Sequence, residues 1–296
     1  MSNLRSFLAT LQNEIRPSDK SWEFTVPNLP RREATNAANL VKSISLVSSP
    51  SQQHIQLRLE RAPTNRVTRT EPLHLFILIY FANFRLRLPG TPESGGTAHL
   101  APARDSTDYI ARLLKTGIVL NGVSYHFFGH SNSQLKARSC FMFAGSKDEI
   151  SAKVEAMGDF SKLKSVGKKA KRIGLLFSSA EMAVTLQPER CEDIDDIKGN
   201  DYVFTDGCGL ISIHLAREIV QRRNIAYRNR KYLPSVFQIR YRGYKGVLML
   251  DPSLEGNIQV QFRESMRKFK DAKDLSLSVV DYSKVTNLYA SRTCFY

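Results

Sequence analysis

Pro234-Ser-Val-Phe-Gln-Ile-Arg-Tyr-Arg-Gly-Tyr-Lys-Gly246 decides the fold class of this chain. From Val236 to Tyr241 the residues alternate strictly, with Phe237, Ile239 and Tyr241 on one side and Gln238, Arg240 and then Arg242 on the other. That is the signature of a half-buried strand. Gly243-Tyr-Lys-Gly246 reads as a turn presenting Lys245, and Val247 to Leu250 as a fully apolar strand ending at Asp251-Pro252. The alternation returns downstream, where Ile258, Val260 and Phe262 are expected inside and Gln259, Gln261 and Arg263 on the opposite face. Upstream, Tyr202 to Thr205 is a short β-prone run and Asp206-Gly207 a turn pair. Gly209 permits a bend, and Ser212 suits a helix N-cap. Between Ile213 and Arg223, Leu215, Ala216, Ile219 and Val220 recur at helical spacing, with Arg217, Glu218 and Arg222 left for the outer side. Strands and helices thus mix, in an α+β arrangement.

The polar strand faces repeat one chemistry: amides, guanidiniums and an ammonium. Arg and Lys neutralise phosphate, while Gln both donates to and accepts from bases and ribose. The pattern alone leaves a solvated sheet face and a phosphate-contacting one both open. Composition supports a polyanionic partner without saying what is done to it: 43 Lys and Arg stand against 28 Asp and Glu, a net charge of +15. At 42% apolar residues over 296, the chain can bury a core and is long enough for about two domains.

The block around Pro234 does not stand alone. With Tyr202-Val-Phe-Thr-Asp-Gly-Cys-Gly-Leu-Ile-Ser212, Gln259-Val-Gln-Phe-Arg-Glu-Ser-Met-Arg-Lys-Phe269 and Ser131-Asn-Ser-Gln-Leu135, it resembles the eukaryotic RNA-silencing RNA-dependent RNA polymerases. The likeness is strong over Tyr109 to Val285, weak before Asn65 and absent after Thr286. It implies that the C-terminal part belongs to the first of two double-psi β-barrels. It also implies that Lys245, from the Gly-x-Lys-Gly element, and Lys268, from Arg-x-Ser-Met-x-Lys-Phe, serve as supporting catalytic cations. Arg240, Arg263, Gln238 and Gln261 follow as nucleotide- or RNA-binding residues. The implied reaction is template-directed RNA synthesis feeding RNA silencing. RNA and nucleoside triphosphates are then partners, with silencing-complex proteins beside them. Mg²⁺ would be held in the full-length protein by an Asp-x-Asp-Gly-Asp signature that this chain is expected to lack, leaving it inactive alone. A non-catalytic RNA-binding protein or decayed paralogue is the alternative.

The resulting division is 1–88, 89–107 as a linker or misread segment, 108–190, 191–286 as the barrel region, and 287–296 as a non-matching tail. Pro89-Gly-Thr-Pro-Glu-Ser-Gly-Gly96 gives the linker its character. Leu73 to Phe84 is too short to cross a bilayer, which takes roughly twenty residues, and reads as a buried strand or as misread sequence. Leu4, Phe7, Leu8, Leu11 and Ile15 share one helical face, which is no export signal, so an intracellular setting, nucleus or cytoplasm, is expected.

Three features read as structural or surface elements. Cys140, Cys191, Cys208 and Cys294 lack disulfide or zinc spacing, and His126 and His130 read as packing or surface residues. Asp193, Asp195, Asp196 and Asp201 read as a solvated acidic connection rather than an Mg²⁺ site. The basic run Lys162, Lys164, Lys168, Lys169, Lys171 and Arg172 stays open among a solvated helix face, an RNA contact and a nuclear localisation signal.

Overall fold

The computed structural model of the chain describes residues 9–11, 23–24, 39–48, 53–88 and 99–285. They fall into two compact units, Met1–Glu155 with Leu163–Ser179, and Ala156–Lys162 with Ala180–Tyr296. The expected boundary at 190/191 lies inside the second unit, and the interval 89–107 lies inside the first. Of that interval, 89–98 lies outside the described residues, as do the tail 287–296 and Cys294.

In the first unit an eight-stranded sheet uses β1 (Ala9–Leu11), β2 (Glu23–Phe24), β3 (Leu40–Ser48), β4 (Gln53–Arg61) and β5 (Phe76–Asn83). A separate pair, β6 (Arg87–Leu88) with β7 (His99–Leu100), precedes the remaining sheet strands β8 (Ile118–Leu120), β9 (Val123–Gly129) and β10 (Ser139–Ala144). The order is β1-β4-β3-β5-β10-β9-β8-β2. Leu11 therefore sits in a strand paired to β4 and not on a helix; the rest of the amphipathic N-terminal stretch lies outside the described residues.

Strand β5 explains the apolar run. It lies between β3, which it meets in parallel, and β10, which it meets antiparallel. Phe76, Ile77, Leu78 and Ile79 are all buried, so neither sheet face of β5 is wet, which is why the sequence does not alternate there. On one side Ile77 and Ile79 join Ile44, Leu57 and Met142 in a core with Tyr109 and Leu113. These last two come from α2 (Ala103–Thr116), which follows α1 (Arg66–Thr70) in the chain. On the other side Phe76 contacts Phe128, Phe141 and Phe143 at ring-centroid separations of 5.2–6.0 Å. Phe141→Ala is expected to destabilise this unit by about 3–5 kcal/mol in urea unfolding, the cost of a large core cavity. A variant with wild-type midpoint would contradict this packing.

Two short helices of this unit begin with reciprocal caps. Asn65 and Thr68 close a capping box on α1, and Ser131 and Gln134 close one on α3 (Asn132–Lys136). The unit also contains α4 (Lys147–Ala156), shared at its last residue with the second unit, and α5 (Val166–Ile173). Among the described residues no helix is long and apolar enough to cross a membrane.

The second unit is built on a seven-stranded mixed sheet curled into a half-barrel. Its strands are β11 (Glu181–Thr185), β12 (Cys191–Ile194), β15 (Cys208–Ser212), β18 (Val236–Tyr241), β19 (Tyr244–Asp251), β20 (Val260–Arg263) and β21 (Ser276–Tyr282). Two hairpins project between them: β13 (Lys198–Gly199) with β14 (Tyr202–Val203), and β16 (Ala226–Tyr227) with β17 (Arg230–Lys231). The sheet order is β11-β21-β18-β19-β15-β20-β12, with β15–β19 and β12–β20 parallel. Helix α6 (Ile213–Arg222) covers its core with the residues the spacing singled out, Leu215, Ala216, Ile219 and Val220, all buried. The Ser212 hydroxyl accepts from the Leu215 amide at 3.3 Å, and Glu218 pairs with Arg222 on the outside. Phe237, Ile239 and Tyr241 are buried as the alternation requires.

Candidate nucleotide and nucleic-acid interface

The hairpin carrying Lys245 is tighter than its sequence suggests. Its turn is Arg242-Gly243, both at positive φ (37° and 87°), and β19 already begins at Tyr244. A two-residue hairpin of this kind matches the right-handed twist of its strands. Lys245 is therefore a strand residue, directly across from Arg240, not a turn residue. Gln238 stands two positions along on the same side of β18. Nor is the strand that follows a fully buried one, because Met249 is 48% exposed.

The glycines flanking Lys245 show why the motif needs them. A Cβ on Gly243 would lie 2.2 Å from the Phe269 carbonyl oxygen, and one on Gly246 2.1 Å from the Gly207 carbonyl oxygen. Three separate stretches of backbone meet at this hairpin, and side chains at these two positions would keep them apart. Hydrogen bonds hold the meeting. The Lys268 amide donates to Gly243 O at 2.9 Å and the Val247 amide to Gly207 O at 2.9 Å. Lys268 Nζ donates to the Ser265 carbonyl. Thus the Thr205-Asp206-Gly207 turn, the Lys245 hairpin and the Lys268 segment form one surface.

Asp196 clamps that surface from below. Its carboxylate accepts from the Ser265 amide at 2.9 Å, the Ser265 hydroxyl at 2.7 Å and the Thr205 hydroxyl at 3.0 Å. Ser265 Oγ accepts in turn from the Gly207 amide at 2.9 Å. Burial pushes the Asp196 carboxyl upward, but the Ser265 and Thr205 hydrogen bonds and the Arg263 charge outweigh it and hold it below the usual carboxylate range. A folded-state value below the unfolded one contributes stability above the unfolded value, near 4, and that contribution disappears as pH falls through the folded value. Asp196→Asn is accordingly expected to lower the urea midpoint at pH 7 and to flatten its decline below about pH 4. Equal slopes for both proteins in acid would remove Asp196 from this role. Asp193 is engaged as well, accepting from Tyr244 Oη at 2.6 Å and pairing with Arg267. The acidic stretch is thus partly a set of clamps, not simply a solvated connection.

The other residues singled out from the sequence are placed differently. Arg240 is half-buried; its NH1 donates to Ile239 O at 2.8 Å, and its Nε has no hydrogen-bond partner among the described residues. Burial pulls its guanidinium down to about 10, so it stays charged at neutral pH. Arg263 is 8% exposed, donates to the Asp195 carbonyl, and likewise has a buried Nε without a partner among the described residues. Gln261 donates to Glu192 at 2.9 Å. Gln259 is buried too, so the far side of β20 is not the open polar face its alternation suggested. Gly209 lies within β15, where a Cβ would meet Gln261 O at 2.4 Å; close approach, not a bend, accounts for it.

Sequence reading missed Ser265, the Asp196 clamp and the Tyr244–Arg267–Asp193 set. Ser265, Tyr244 and Arg267 lie inside the blocks already quoted, whereas Asp193 and Asp196 stood out only as part of the acidic connection; the bonds from Ser265 and Arg267 to them span 69 and 74 positions and leave no local signal. Among the described residues no group of three or more His, Cys, Asp or Glu converges to hold a metal ion. These residues do not fit Mg²⁺.

Comparison with known proteins gives the chain its family. A family profile described as RNA dependent RNA polymerase matches residues 53–294. Probable RNA-dependent RNA polymerase 1 of Oryza sativa subsp. japonica is 33% identical over 228 residues, covering 75% of this chain and 30% of that protein. RNA-dependent RNA polymerase 1 of Arabidopsis thaliana is 36% identical over 190 residues, covering 62% of this chain and 16% of that protein. The chain thus spans less than a third of these relatives. Among solved structures, one titled RNA dependent RNA polymerase QDE-1 from Thielavia terrestris superposes with a TM-score of 0.59 at 22% identity. It covers 83% of this chain and 28% of that one, a likeness of fold. With the matched profile spanning most of its length, the chain belongs to the RNA-dependent RNA polymerase family.

Proposed function

We propose that this chain supplies the cationic wall of a template-directed RNA polymerase that makes double-stranded RNA in RNA silencing. The observation that carries the reading is the convergence of Gly207, Gly243, Gly246 and Phe269, which fixes Lys245 and Lys268 on adjoining backbone. In this reading the half-barrel is part of a double-psi barrel. The two lysines and Arg240 hold the triphosphate of an incoming nucleotide or the template backbone. A partly dehydrated guanidinium with an orphan Nε gains more from a phosphate oxygen than a hydrated one does. Fixed cations of this kind lower the cost of charge moving onto the leaving pyrophosphate without reorganising during the step. Arg263 and Gln261 then act by holding β20 and the Asp195 backbone in place. Mg²⁺ belongs to the family's chemistry, and the role assigned to these residues does not run through it.

Titration of the chain with a nucleoside triphosphate tests the reading. Uptake is expected to weaken about tenfold or more in Lys268→Gln, the loss of one charge-assisted contact worth roughly 1.5–3 kcal/mol. Equal affinity for the altered and unaltered chains would remove Lys268 from the nucleotide site.

A further inference from the structure

The later part of the basic run, Lys168, Lys169, Lys171 and Arg172, which the Lys245–Lys268 surface leaves unused, lies on α5. Between Asp159 and Glu181 the sequence has no acidic residue, yet it carries Lys162, Lys164, Lys168, Lys169, Lys171 and Arg172. Helix α5 (Val166–Ile173) buries none of its residues, and Val166 is 84% exposed. It is nevertheless anchored. Ser165 caps its start, Gly174 packs where a Cβ would meet His130 O at 2.9 Å, and Leu176 and Phe177 then enter the core. Phe177 packs there against Phe128 and Phe141 at 5.3 and 5.7 Å.

At 100° per residue Lys168, Lys171 and Arg172 share one side of α5, spread over about 6 Å of axis, with Lys169 at its margin. Val166, Ala170 and Ile173 lie on the opposite side. An isolated helix this short is marginal in water, so its order comes from the anchored end. Among the described residues Lys168, Lys171 and Arg172 make no ion pair, so on a helix that buries none of its residues they form a cation bank able to take an outside counter-charge. A bilayer suits it poorly, because the apolar side offers one Val, one Ala and one Ile and no aromatic or Leu residue.

We propose that α5, through Lys168, Lys171 and Arg172, is a phosphate-backbone contact for RNA, separate from the Lys245–Lys268 surface and reading no sequence. This rests on the RNA-handling function proposed above. The shared chemistry is the ribose-phosphate backbone of a single strand or of a duplex, and its mark is counterion release: each neutralised phosphate contributes about 0.7 to the salt slope on a single strand and about 0.9 on a duplex.

The experiment measures fluorescence anisotropy of labelled single-stranded and double-stranded RNA against the 296-residue chain over a series of salt concentrations. The variant Lys168→Gln/Lys171→Gln/Arg172→Gln is compared with the control Arg217→Gln/Arg230→Gln/Lys231→Gln, which removes equal charge from exposed positions of the second unit. The α5 variant is expected to bind more weakly, with the slope shallower by about 2 on its single-strand ligand or about 3 on a duplex. The form of RNA that shows the change identifies the source. The control is expected to keep the wild-type slope, and unfolding midpoints are expected to stay close throughout because five of the six positions are exposed and the sixth, Arg172, is half-buried and carries no core contact of α5. If the unaltered chain binds neither RNA, the RNA-handling reading itself falls. If it binds and the α5 variant keeps its slope, only the α5 assignment falls. Equal slope losses in variant and control would show net charge acting instead of a site. Loss of binding to phosphatidylserine vesicles at unchanged RNA slope would make α5 a membrane contact and overturn the proposal.

Discussion

Lys245→Ala, placed in an assembled polymerase that contains these residues, is expected to lower nucleotide incorporation about 10²- to 10³-fold, the usual cost of removing one preorganised charge-stabilising group. Its urea midpoint is expected to stay near wild type. Lys245 lies half-buried on β19 opposite Arg240, in a sheet whose core is made by the alternate residues. Removing its ammonium opens no large cavity. Lys245→Arg keeps the charge but exchanges a compact ammonium for a planar fork, so partial recovery is expected. The informative split is between kcat and KM: a group that binds ground and transition states alike changes KM alone, whereas one acting on developing charge lowers kcat. Full incorporation by Lys245→Ala and Lys268→Ala would remove both lysines from the reaction, leaving the hairpin as structure only.

Local periodicity made part of this molecule legible. Helix α6 could be read to its buried residues because its apolar spacing and its Ser212 cap are both local properties. Strand β18 could be read face by face for the same reason. Strand β5 announced burial through the absence of alternation, although its place between β3 and β10 had no signal in its own residues. Strand β20 marks the limit. Its alternation is genuine, but it runs between β15 and β12, and Gln259 and Arg263 are enclosed all the same. A two-residue period shows which residues share a side; it does not show whether that side meets water.

The candidate site follows the same division. Lys245, Lys268 and Arg240 were singled out through motif resemblance, while the geometry joining the first two is long-range. Gly207 approaches Gly246, Phe269 approaches Gly243, and Asp196 reaches Ser265 across 69 positions of sequence. The motif glycines suggested a turn because a turn is the local reason for Gly. For Gly246 the reason is distant backbone; Gly243 has both, a positive φ in the turn and the nearby Phe269 carbonyl. The Asp196 carboxylate read as solvated because its three donors arrive from two other segments.

Gly246→Ala therefore makes a sharper test of the architecture than any charged substitution. A Cβ there falls 2.1 Å from the Gly207 carbonyl oxygen and 2.9 Å from its carbonyl carbon, both backbone atoms. No flexible side chain can swing aside, so either β19 or the Asp206-Gly207 turn must move. Moving the turn strains the Val247–Gly207 bond and the Gly207–Ser265–Asp196 chain that positions the Lys268 segment. The expected cost is about 1–3 kcal/mol or more by urea unfolding, together with a loss of incorporation at least as large as that of Lys245→Ala. Gly167→Ala is the matched control: nothing lies within 4 Å of its Cβ, it sits in solvent-facing α5, and it should stabilise by about 0.5–1 kcal/mol through helix propensity. The pair separates steric convergence from any general intolerance of alanine. If Gly246→Ala unfolds at the wild-type midpoint with activity intact, the backbone segments are not held at this distance. Lys245 and Lys268 would then lose the shared frame on which the proposed nucleotide surface depends.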